Sequence, residues 1–470
     1  MTLSHQRIVT IVTILVGIVL ISCTNGKHPS SPRTSTERTP APNVLIVLTD
    51  DQRTGLEQMP NVKRWFQEGG TTFRNAFATT PSCCPSRASI FTGLYAHNHG
   101  VRDNFHPGKL DHRRTVQFHL SRAGYRTGVV GKYFNRWPVS REPPFFNSWA
   151  IYTAPKDATY YSGGLWNING EVTRIRSYAT TFIRQETMRF LENAEEADDQ
   201  PWFLVVAPTA PHAPYIPERR YRRAPVGEWR PTPAALESDL SDKPSYVRAR
   251  RATLKIAETV RRGQIRTLMS VDDLVGHLMQ RLGGLGESRR TIALYLSDNG
   301  ILWSEHGIYE KRVPYTPAIR IPLMLRWPQH VAAGTSDDRL VANIDIAPTI
   351  LEAAALPHPL KQLDGRSLFD SSSRKALLLE YWREPLKGFP NWVAVRGESF
   401  QYVEYSNRGT LIARELYDLQ SDPWQLRNLL GPGSDLQGSP LVARLHDWVV
   451  AQRHCVQSSC RRREAVELTL

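Results

Sequence analysis

The chain has 470 residues, of which 41% are hydrophobic and 22% are charged. This length is enough for a large hydrophobic core and a second, smaller domain, and no internal repeat is evident. A net charge of +14 and an isoelectric point near 9.7 would suit nucleic acid, an anionic membrane or an anionic polymer as partner. The chain has no zinc-finger or RNA-binding motif, which argues against nucleic acid.

Residues 1–23 are typical of a secretion signal. Arg7 supplies a positive n-region, and the apolar run 8–20 is too short for a comfortable membrane span. The run ends in Leu-Ile-Ser-Cys, which resembles a bacterial lipobox, so we expect Cys23 to be lipidated and to become the new N-terminus. An ordinary signal peptide cut nearby and a short membrane anchor are the alternatives. All three imply export, and we expect a lipoprotein of the bacterial cell envelope that does not meet nucleic acid.

Residues 24–42 follow the signal and are rich in Ser, Thr, Pro and Arg, with few large apolar residues. Such a segment cannot bury a core. We therefore expect a flexible tether between the lipid and the folded part of the chain.

Four short apolar runs each end in polar residues that can carry chemistry. They are 43–48 before Asp50 and Asp51, 125–130 before Lys132, 202–207 before His212, and 291–296 before Asp298 and Asn299. The runs predict buried strands, and helical patterns over 60–68 and 252–282 lie between them. The alternation predicts a mixed or parallel sheet covered by helices, with binding residues at the carboxyl edge of the strands.

A helix with an unusual start is predicted after the first of these strands. Pro85 suits the first turn, where its missing N–H costs little. Cys83 would then lie at the helix N-terminus, where free N–H groups and the helix dipole favour an anion. Arg87 would project from the same face, one turn later. A thiol, or a group made from it, is therefore predicted beside an anion-binding surface.

Seven of the eight arginines between the strand at 202–207 and the long helix are clustered. A solvated charged face is the default interpretation, and a rim that attracts an anionic polymer is the sharper one. They are Arg219, Arg220, Arg222, Arg223, Arg248, Arg250 and Arg251.

Beyond about residue 365 the pattern changes to short strands separated by turns. We expect strands at 375–382, 392–395 and 400–405 and a helix over 440–454. This pattern predicts a small antiparallel sheet with one helix, packed on the first domain. The expected organisation is a main domain at 43–365 and a small α+β subdomain with a tail at 366–470.

Three further cysteines need an account. Cys455 and Cys460 lie near the C-terminus, and an exported protein could join them in a small disulfide loop. Two free thiols on a mobile tail are the alternative. We expect Cys84 to pack as a small apolar residue.

The sequence from Cys83 to Arg87, Cys-x-Pro-Ser-Arg, followed by Thr92-Gly93, resembles the signature of type I sulfatases. The resemblance runs from Asn43 to about Leu429 and includes the Glu-Leu-Tyr-Asp-Leu-x-x-Asp-Pro motif at 415–423. It implies the alkaline-phosphatase-like sulfatase fold, an α/β architecture with a large mixed sheet flanked by helices. The region 43–365 would be the catalytic domain. The resemblance also implies that a maturation enzyme oxidises Cys83 to formylglycine, whose hydrate attacks the sulfur of a sulfate ester.

The resemblance implies one divalent cation, with Ca²⁺ favoured over Mg²⁺. Its ligands would be hard oxygen donors from two strand ends and from the modified cysteine. The alternative is that the first acidic pair caps a helix and the second pair forms a turn. The implied ligands are Asp50, Asp51, Cys83, Asp298 and Asn299.

Four other residues match the family's catalytic positions. Arg87 would orient Cys83, and Lys132 would contact both the hydrate and the sulfate. Lys311, four residues before a tyrosine, would bind the bridging oxygen. His212 would protonate the leaving oxygen.

One position departs from the family pattern. Many sulfatases place a histidine two or three residues after the position of Lys132, whereas this chain has Phe134 and Asn135. Asn135 cannot accept a proton at neutral pH. We hypothesise that His97 or His99 lies near the site, or that water serves as the base.

The Gly-Lys-Tyr-x-Asn form and the Cys-Cys pair resemble the N-acetylglucosamine-6-sulfatase and heparan endosulfatase branch. The leading hypothesis is therefore an exported, lipid-anchored sulfatase of sulfated carbohydrate, such as glucosamine 6-sulfate units. A phosphonate or phosphodiester hydrolase of the same superfamily is the first alternative. A non-catalytic glycan-binding lipoprotein is the second, although all the expected site residues are present.

Overall fold

The computed structural model describes residues 41–153, 159–196, 200–385 and 387–468. The predicted secretion signal, Cys23 and nearly all of the predicted tether lie outside these residues. The described residues form one compact unit. The predicted boundary near residue 365 stays a prediction.

The main sheet has ten strands in the described part of the chain. They are β1 Asn43–Thr49, β2 Thr71–Phe77, β3 Arg126–Gly131, β4 Ser148–Thr153, β5 Leu165–Ile168, β6 Glu171–Arg174, β7 Trp202–Ala207, β8 Thr291–Ser297, β9 Leu323–Arg326 and β10 Thr335–Ala342. Their order across the sheet is β10-β2-β9-β8-β1-β7-β3-β4-β5-β6. β9 is antiparallel to both of its neighbours, as are β4 to β5 and β5 to β6. The predicted mixed sheet is confirmed.

The four strands predicted from apolar runs are neighbours at the centre of this sheet. β3, β7, β1 and β8 pair in parallel, with Val44 opposite Phe203 and Thr49 opposite Ser297. Every residue of β1, β7 and β8 is buried, which explains why their sequences are almost continuously apolar. Because the strands run in parallel, the polar residues that follow them meet at one edge.

Helices cover both faces of this sheet, and the last two helices pack on a second, C-terminal sheet. They are α1 Pro60–Val62, α2 Cys83–Thr92, α3 Ala96–His99, α4 Val116–Arg122, α5 Ala179–Glu195, α6 Ser245–Arg248, α7 Leu254–Gly284, α8 Thr316–Ile319, α9 Ile346–Ala353, α10 Pro357–Leu360, α11 Pro440–Gln452 and α12 Ser458–Glu464. Side chains alternate along β1, so Leu45 and Val47 join the core formed with α5 and α7. Ile46 and Leu48 point to the other face and join the core formed with α2, α4 and α9.

A second sheet of four antiparallel strands follows. It contains β11 Ala376–Tyr381, β12 Asn391–Gly397, β13 Phe400–Asn407 and β14 Thr410–Asp418, in that order. The expected small antiparallel sheet is therefore present, and its last strand carries the first half of the 415–423 motif. The predicted helix is α11, and the shorter α12 follows it. Cys455, in the connection between these two helices, forms a disulfide with Cys460 of α12.

A capping residue sets the start of the long helix α7. The side chain of Thr253 accepts a hydrogen bond from the N–H of Ile256, so the helix begins at Leu254 rather than at the predicted residue 252. Within the described ranges, none of the helices has an apolar stretch long enough to cross a bilayer.

Candidate active site

Two strand ends bring the predicted carboxylates together. Asp50 and Asp51 follow β1, and Asp298 and Asn299 follow β8; all four side chains are buried. The backbone N–H of Asp51 donates to Oδ1 of Asp298 at 3.2 Å, and Nδ2 of Asn299 donates to Oδ1 of Asp51 at 2.7 Å. Asp51 has a φ of 66°, a left-handed conformation that Asp tolerates better than most residues. The acidic pairs therefore form one cluster rather than a separate cap and turn.

The helix predicted at Cys83 is present as α2, which begins at that residue and ends at Gly93 in a left-handed conformation. The Sγ atom of Cys83 lies 3.5 Å from Oδ1 of Asp50. Arg87, one turn later, donates from Nε to Oδ2 of Asp298 at 2.9 Å and from Nη1 to the carbonyl of Lys132 at 2.8 Å. Arg87 therefore ties the helix to two strand ends.

Two lysines complete the charge balance of the cluster. Lys132 follows β3 and donates to Oδ2 of Asp50. Lys311 donates to Oδ1 of Asp51 and lies 2.9 Å from the Sγ of Cys83. Burial lowers the pKa of each lysine, but the facing aspartates outweigh it and hold both pKa values above the ordinary range. With Arg87, the two lysines set three cations against three carboxylates.

His212 lies in the loop after β7, at the more open side of the cluster. Its Nε2 is 3.7 Å from Oδ2 of Asp51, and its side chain is 25% exposed. Nδ1 lies 2.8 Å from the carbonyl of Ala213, which assigns the proton of the neutral ring to Nδ1. Burial lowers the pKa of His212, although Asp50 and Asp51 oppose the shift.

Burial and neighbouring charges shift the pKa values of the acidic groups in different directions. Burial would raise the pKa of Asp50, but Lys132 and His212 outweigh it and lower that pKa. Burial and the charge of Asp50 raise the pKa of Asp298 to about 6. Burial raises the pKa of the Cys83 thiol to about 11, against the opposing charges of Lys132 and Lys311. An unmodified Cys83 is therefore a thiol rather than a thiolate at neutral pH, and a thiol is a poor nucleophile.

The donor set fits a hard divalent cation. One candidate ligand atom from each of Asp50, Asp51, Cys83 and His212 lies within 4.8 Å of the others. Oδ1 of Asn299 is buried and has no hydrogen-bond partner in the described residues, as expected for an oxygen that ligates a cation. The carboxylate and amide oxygens suit Ca²⁺ or Mg²⁺, whereas the sulfur of Cys83 does not. The set fits such a cation best if oxygen replaces that sulfur.

His97 and His99 do not serve this cluster in the structure. Nδ1 of His97 lies 3.0 Å from the carboxylate of Glu380, and its Nε2 lies 3.1 Å from the carbonyl of Cys455. Nε2 of His99 lies 3.1 Å from the hydroxyl of Ser89, and its Nδ1 accepts from a backbone N–H. Both nitrogens of each ring are engaged, so neither ring can take a proton from a group on residue 83 without giving up a contact. The His97 ring instead connects α3 to Glu380 of the C-terminal sheet, and the His99 ring connects α3 to Ser89 of α2.

Several polar residues around the cluster were missed by the sequence analysis. Ser82, which precedes Cys83, donates to the buried carboxylate of Glu384, and that carboxylate also accepts from Nε of Arg312 at 2.8 Å. No motif marks Glu384. Gln264 of α7 donates to the carbonyl of Asp51 at 3.3 Å. Gln264 lies within the apolar stripe of a long helix, and this position could have marked it as a residue with buried polar partners.

Two family models match this chain. The sulfatase model matches residues 42–356, and the model of the N-sulphoglucosamine sulphohydrolase C-terminal region matches residues 304–454. Human N-acetylglucosamine-6-sulfatase is 30% identical over 485 residues, which cover 89% of this chain and 86% of that protein. An extracellular sulfatase Sulf-1 homologue of Caenorhabditis elegans is 30% identical over 373 residues and 73% of this chain. The chain spans about half of that protein, 52% of its length.

Solved structures agree on the fold. A protein whose structure was solved in complex with its substrate D-glucosamine-2-N,6-O-disulfate superposes with a TM-score of 0.78, over 90% of this chain and 98% of that one. The two sequences are 22% identical, so this likeness bears on the fold alone. The architecture is the alkaline-phosphatase-like sulfatase fold. The family match over more than half of the sequence leads to one conclusion: this chain belongs to the sulfatase family of sulfuric ester hydrolases.

Proposed function

We propose that this protein hydrolyses sulfate esters of sulfated carbohydrate, with N-acetylglucosamine 6-sulfate units as the preferred class, at the cluster around Cys83. The observation that carries the proposal is the convergence of Asp50, Asp51, Cys83 and His212 within 4.8 Å of one another. The similarity to human N-acetylglucosamine-6-sulfatase supports the substrate class.

The nucleophile in this proposal is formylglycine made from Cys83 by a separate maturation enzyme. The buried thiol is protonated at neutral pH, because burial raises its pKa to about 11. It is therefore a weak nucleophile in its unmodified form. A hydrated aldehyde at this position supplies a hydroxyl group, and Asp50 at 3.5 Å and Lys311 at 2.9 Å are placed to orient it.

Asp50, Asp51, Asp298 and Asn299 would hold one divalent cation, and we propose Ca²⁺ rather than Mg²⁺. Carboxylates combined with a side-chain amide oxygen form a typical calcium ligand set. Such a cation, when bound, would supply positive charge for the sulfate group and make a neighbouring hydroxyl more acidic. The buried, unpartnered Oδ1 of Asn299 supports this assignment.

The remaining residues bind the sulfate group, orient residue 83 and protonate the leaving oxygen. Lys132 and Lys311 provide fixed positive charge for the sulfate group, with Lys311 directed at the bridging oxygen. Arg87 orients Cys83 by fixing the helix against Asp298. His212, whose pKa is lowered by burial, is when protonated a stronger acid than an ordinary imidazolium and would donate to the departing oxygen. Because His97 and His99 are engaged elsewhere, we assign the final proton acceptance to water.

A substrate panel tests the proposal. Purified protein made together with a maturation enzyme is assayed for sulfate release from glucosamine 6-sulfate, N-acetylglucosamine 6-sulfate and an aryl sulfate, and for turnover of a phosphodiester and a phosphonate ester. We expect the 6-sulfated sugars to give the highest kcat/KM. Dominant phosphodiester or phosphonate turnover would support the hydrolase alternative. A Cys83 that stays a thiol beside the maturation enzyme, together with no turnover of any ester, would support the non-catalytic alternative, in which Cys83 is never oxidised.

We further propose that the protein is exported and anchored through a lipid on Cys23, which lies outside the described residues. The lipobox-like sequence at 20–23 supports this proposal. Metabolic labelling with a radioactive fatty acid should mark the full chain and not the Cys23→Ser variant. Equal labelling of both proteins would contradict lipidation at this residue.

A further inference from the structure

A cavity of about 650 Å³ lies beside the C-terminal sheet. It is bordered by α6 and the segment before it, by the connection between β11 and β12, and by β14. We refer to it as the arginine cavity. The lining residues used below are Tyr246, Arg248, Arg383, Leu411, Ile412 and Arg414.

The arginine cavity carries unbalanced positive charge. Arg248 and Arg383 are exposed, and neither has a carboxylate within 4.0 Å in the described ranges. Arg414 is half-buried and contacts Glu404 at 3.5 Å. Lys243 and Asp242 also line the cavity, but Lys243 pairs with Asp242 at 2.8 Å and with Glu237 at 3.1 Å, so its charge is not available to a ligand. Two arginines are therefore available to an anionic ligand.

The arginine cavity also has an apolar side. The half-buried ring of Tyr246 packs 5.3 Å from the ring of Tyr405, and its hydroxyl donates to the hydroxyl of Tyr405 at 3.1 Å. Leu411 is 41% exposed and Ile412 is 54% exposed on β14. A sugar ring has one apolar face and polar edges, so an aromatic and aliphatic wall next to arginines suits a sulfated sugar.

One connection links the arginine cavity to the candidate active site. Arg383 lines the cavity, and the adjacent Glu384, which is fully buried, accepts a hydrogen bond from Ser82, which precedes Cys83. Consecutive Cα atoms lie about 3.8 Å apart, so one short stretch of backbone contributes to both places.

The arginine-rich segment of the sequence divides into two groups around α7. Arg220 pairs with Asp273 at 2.6 Å, whereas Arg248 precedes the helix start at Leu254. From the rise of an α-helix, Leu254 and Asp273 lie about 29 Å apart along its axis. Only the group that includes Arg248 borders the arginine cavity.

We propose that the arginine cavity binds a second anionic sugar unit of the same sulfated glycan whose sulfate ester reaches Cys83. The inference rests on the proposed function, because that function supplies the polymer. The volume lies within the range of cavities that hold discrete ligands, which favours a sugar unit over a flat membrane surface.

The test compares two double variants on two substrates. Arg248→Gln/Arg383→Gln removes the available charges, and Arg122→Gln/Arg444→Gln removes two exposed arginines that do not line the cavity. For a sulfated hexasaccharide, we expect the first variant to raise KM about tenfold, with kcat unchanged and a weaker dependence on salt. Glucosamine 6-sulfate, which cannot reach both sites, should be hydrolysed equally by both variants and the wild type.

Calorimetric binding of the hexasaccharide separates this inference from the proposed function. Weaker binding by the cavity variant, even without sulfate release by any protein, would support the arginine cavity while the proposed function failed. Equal KM and equal affinity in all three proteins would overturn the inference. It would also be overturned if polyphosphate or phosphatidylglycerol vesicles of equal charge competed as well as the hexasaccharide, since the cavity would then not select a sugar.

Discussion

The Nζ atom of Lys311 lies 2.9 Å from the Sγ atom of Cys83, although the two residues are 228 positions apart in the sequence. The same Nζ atom donates to Oδ1 of Asp51. Lys311 therefore joins the modified position of the proposed mechanism to the first acidic pair. A cation at this point is placed to stabilise negative charge as it develops on an oxygen carried by residue 83 or by the leaving group.

Replacing Lys311 by Met removes this charge from the cluster and leaves the buried carboxylate of Asp51 without its lysine partner. We expect kcat/KM for an aryl sulfate to fall by about 10² to 10³, the typical cost of losing one preorganised donor. Steady-state kinetics with Lys361→Met as a control for an exposed lysine would measure the effect. A loss smaller than about tenfold would show that Lys311 does not act on the reacting oxygens.

Arg87 is predicted to stabilise the fold as well as the site. It is fully buried and pairs with the buried carboxylate of Asp298. Arg87→Met leaves that carboxylate without its partner, so we expect the free energy of unfolding to fall by about 3 to 5 kcal/mol. Denaturant unfolding of this variant, compared with the exposed-site variant Arg122→Met, measures the difference. Equal unfolding midpoints would contradict the role assigned to the pair.

The centre of the fold was predictable because its strands are buried on both faces. A short, continuous apolar run such as β7, Trp202–Ala207, is typical of a strand that is buried on both faces. The outer strands were not predicted. β6, Glu171–Arg174, is largely exposed and polar. It is a strand because it pairs with β5, and its own sequence does not favour one.

The same contrast applies to the candidate site. The residues at strand ends and in the Cys-x-Pro-Ser-Arg motif could be found because local sequence places them. Glu384 could not, because it reaches Ser82 from a position 302 residues away. His97 was associated with the site by sequence proximity to α2, but its ring turns to Glu380 in the C-terminal sheet. Such long-range contacts depend on how the two sheets pack, which no short pattern encodes.

A bound cation should stabilise the protein, because the unfolded chain does not bring the donors together. Removing divalent ions with a chelator should lower the unfolding temperature, and adding Ca²⁺ should restore it more fully than Mg²⁺. At a free Ca²⁺ concentration of 100 times Kd, the expected gain is about 2.7 kcal/mol. Differential scanning calorimetry measures this effect without requiring activity. The Asn299→Leu variant, which lacks the unpartnered Oδ1 atom, should respond less to Ca²⁺, and an equal response would contradict its role as a ligand.

His97 should make the stability of the fold depend on pH. Burial lowers the pKa of this ring, but the carboxylate of Glu380 outweighs it and raises the pKa above 6.5, with Asp364 adding to the shift. The stabilisation is therefore complete below the pKa of the unfolded chain and is lost as the pH rises through the higher folded pKa.

The corresponding experiment compares His97→Gln with the wild type and with His454→Gln, which replaces an exposed histidine. We expect His97→Gln to lose about 1 to 3 kcal/mol of unfolding free energy near pH 5.5 and less near pH 9. Parallel pH profiles for all three proteins would show that the contact between His97 and Glu380 does not contribute.

The most direct test of the account is mass spectrometry of the peptide that contains residue 83, together with the specific activity of the same preparations. Protein made with increasing amounts of a maturation enzyme should contain an increasing fraction of aldehyde at residue 83. Sulfate release from N-acetylglucosamine 6-sulfate should rise in proportion to that fraction. Full activity in a preparation whose residue 83 is entirely thiol would contradict the account.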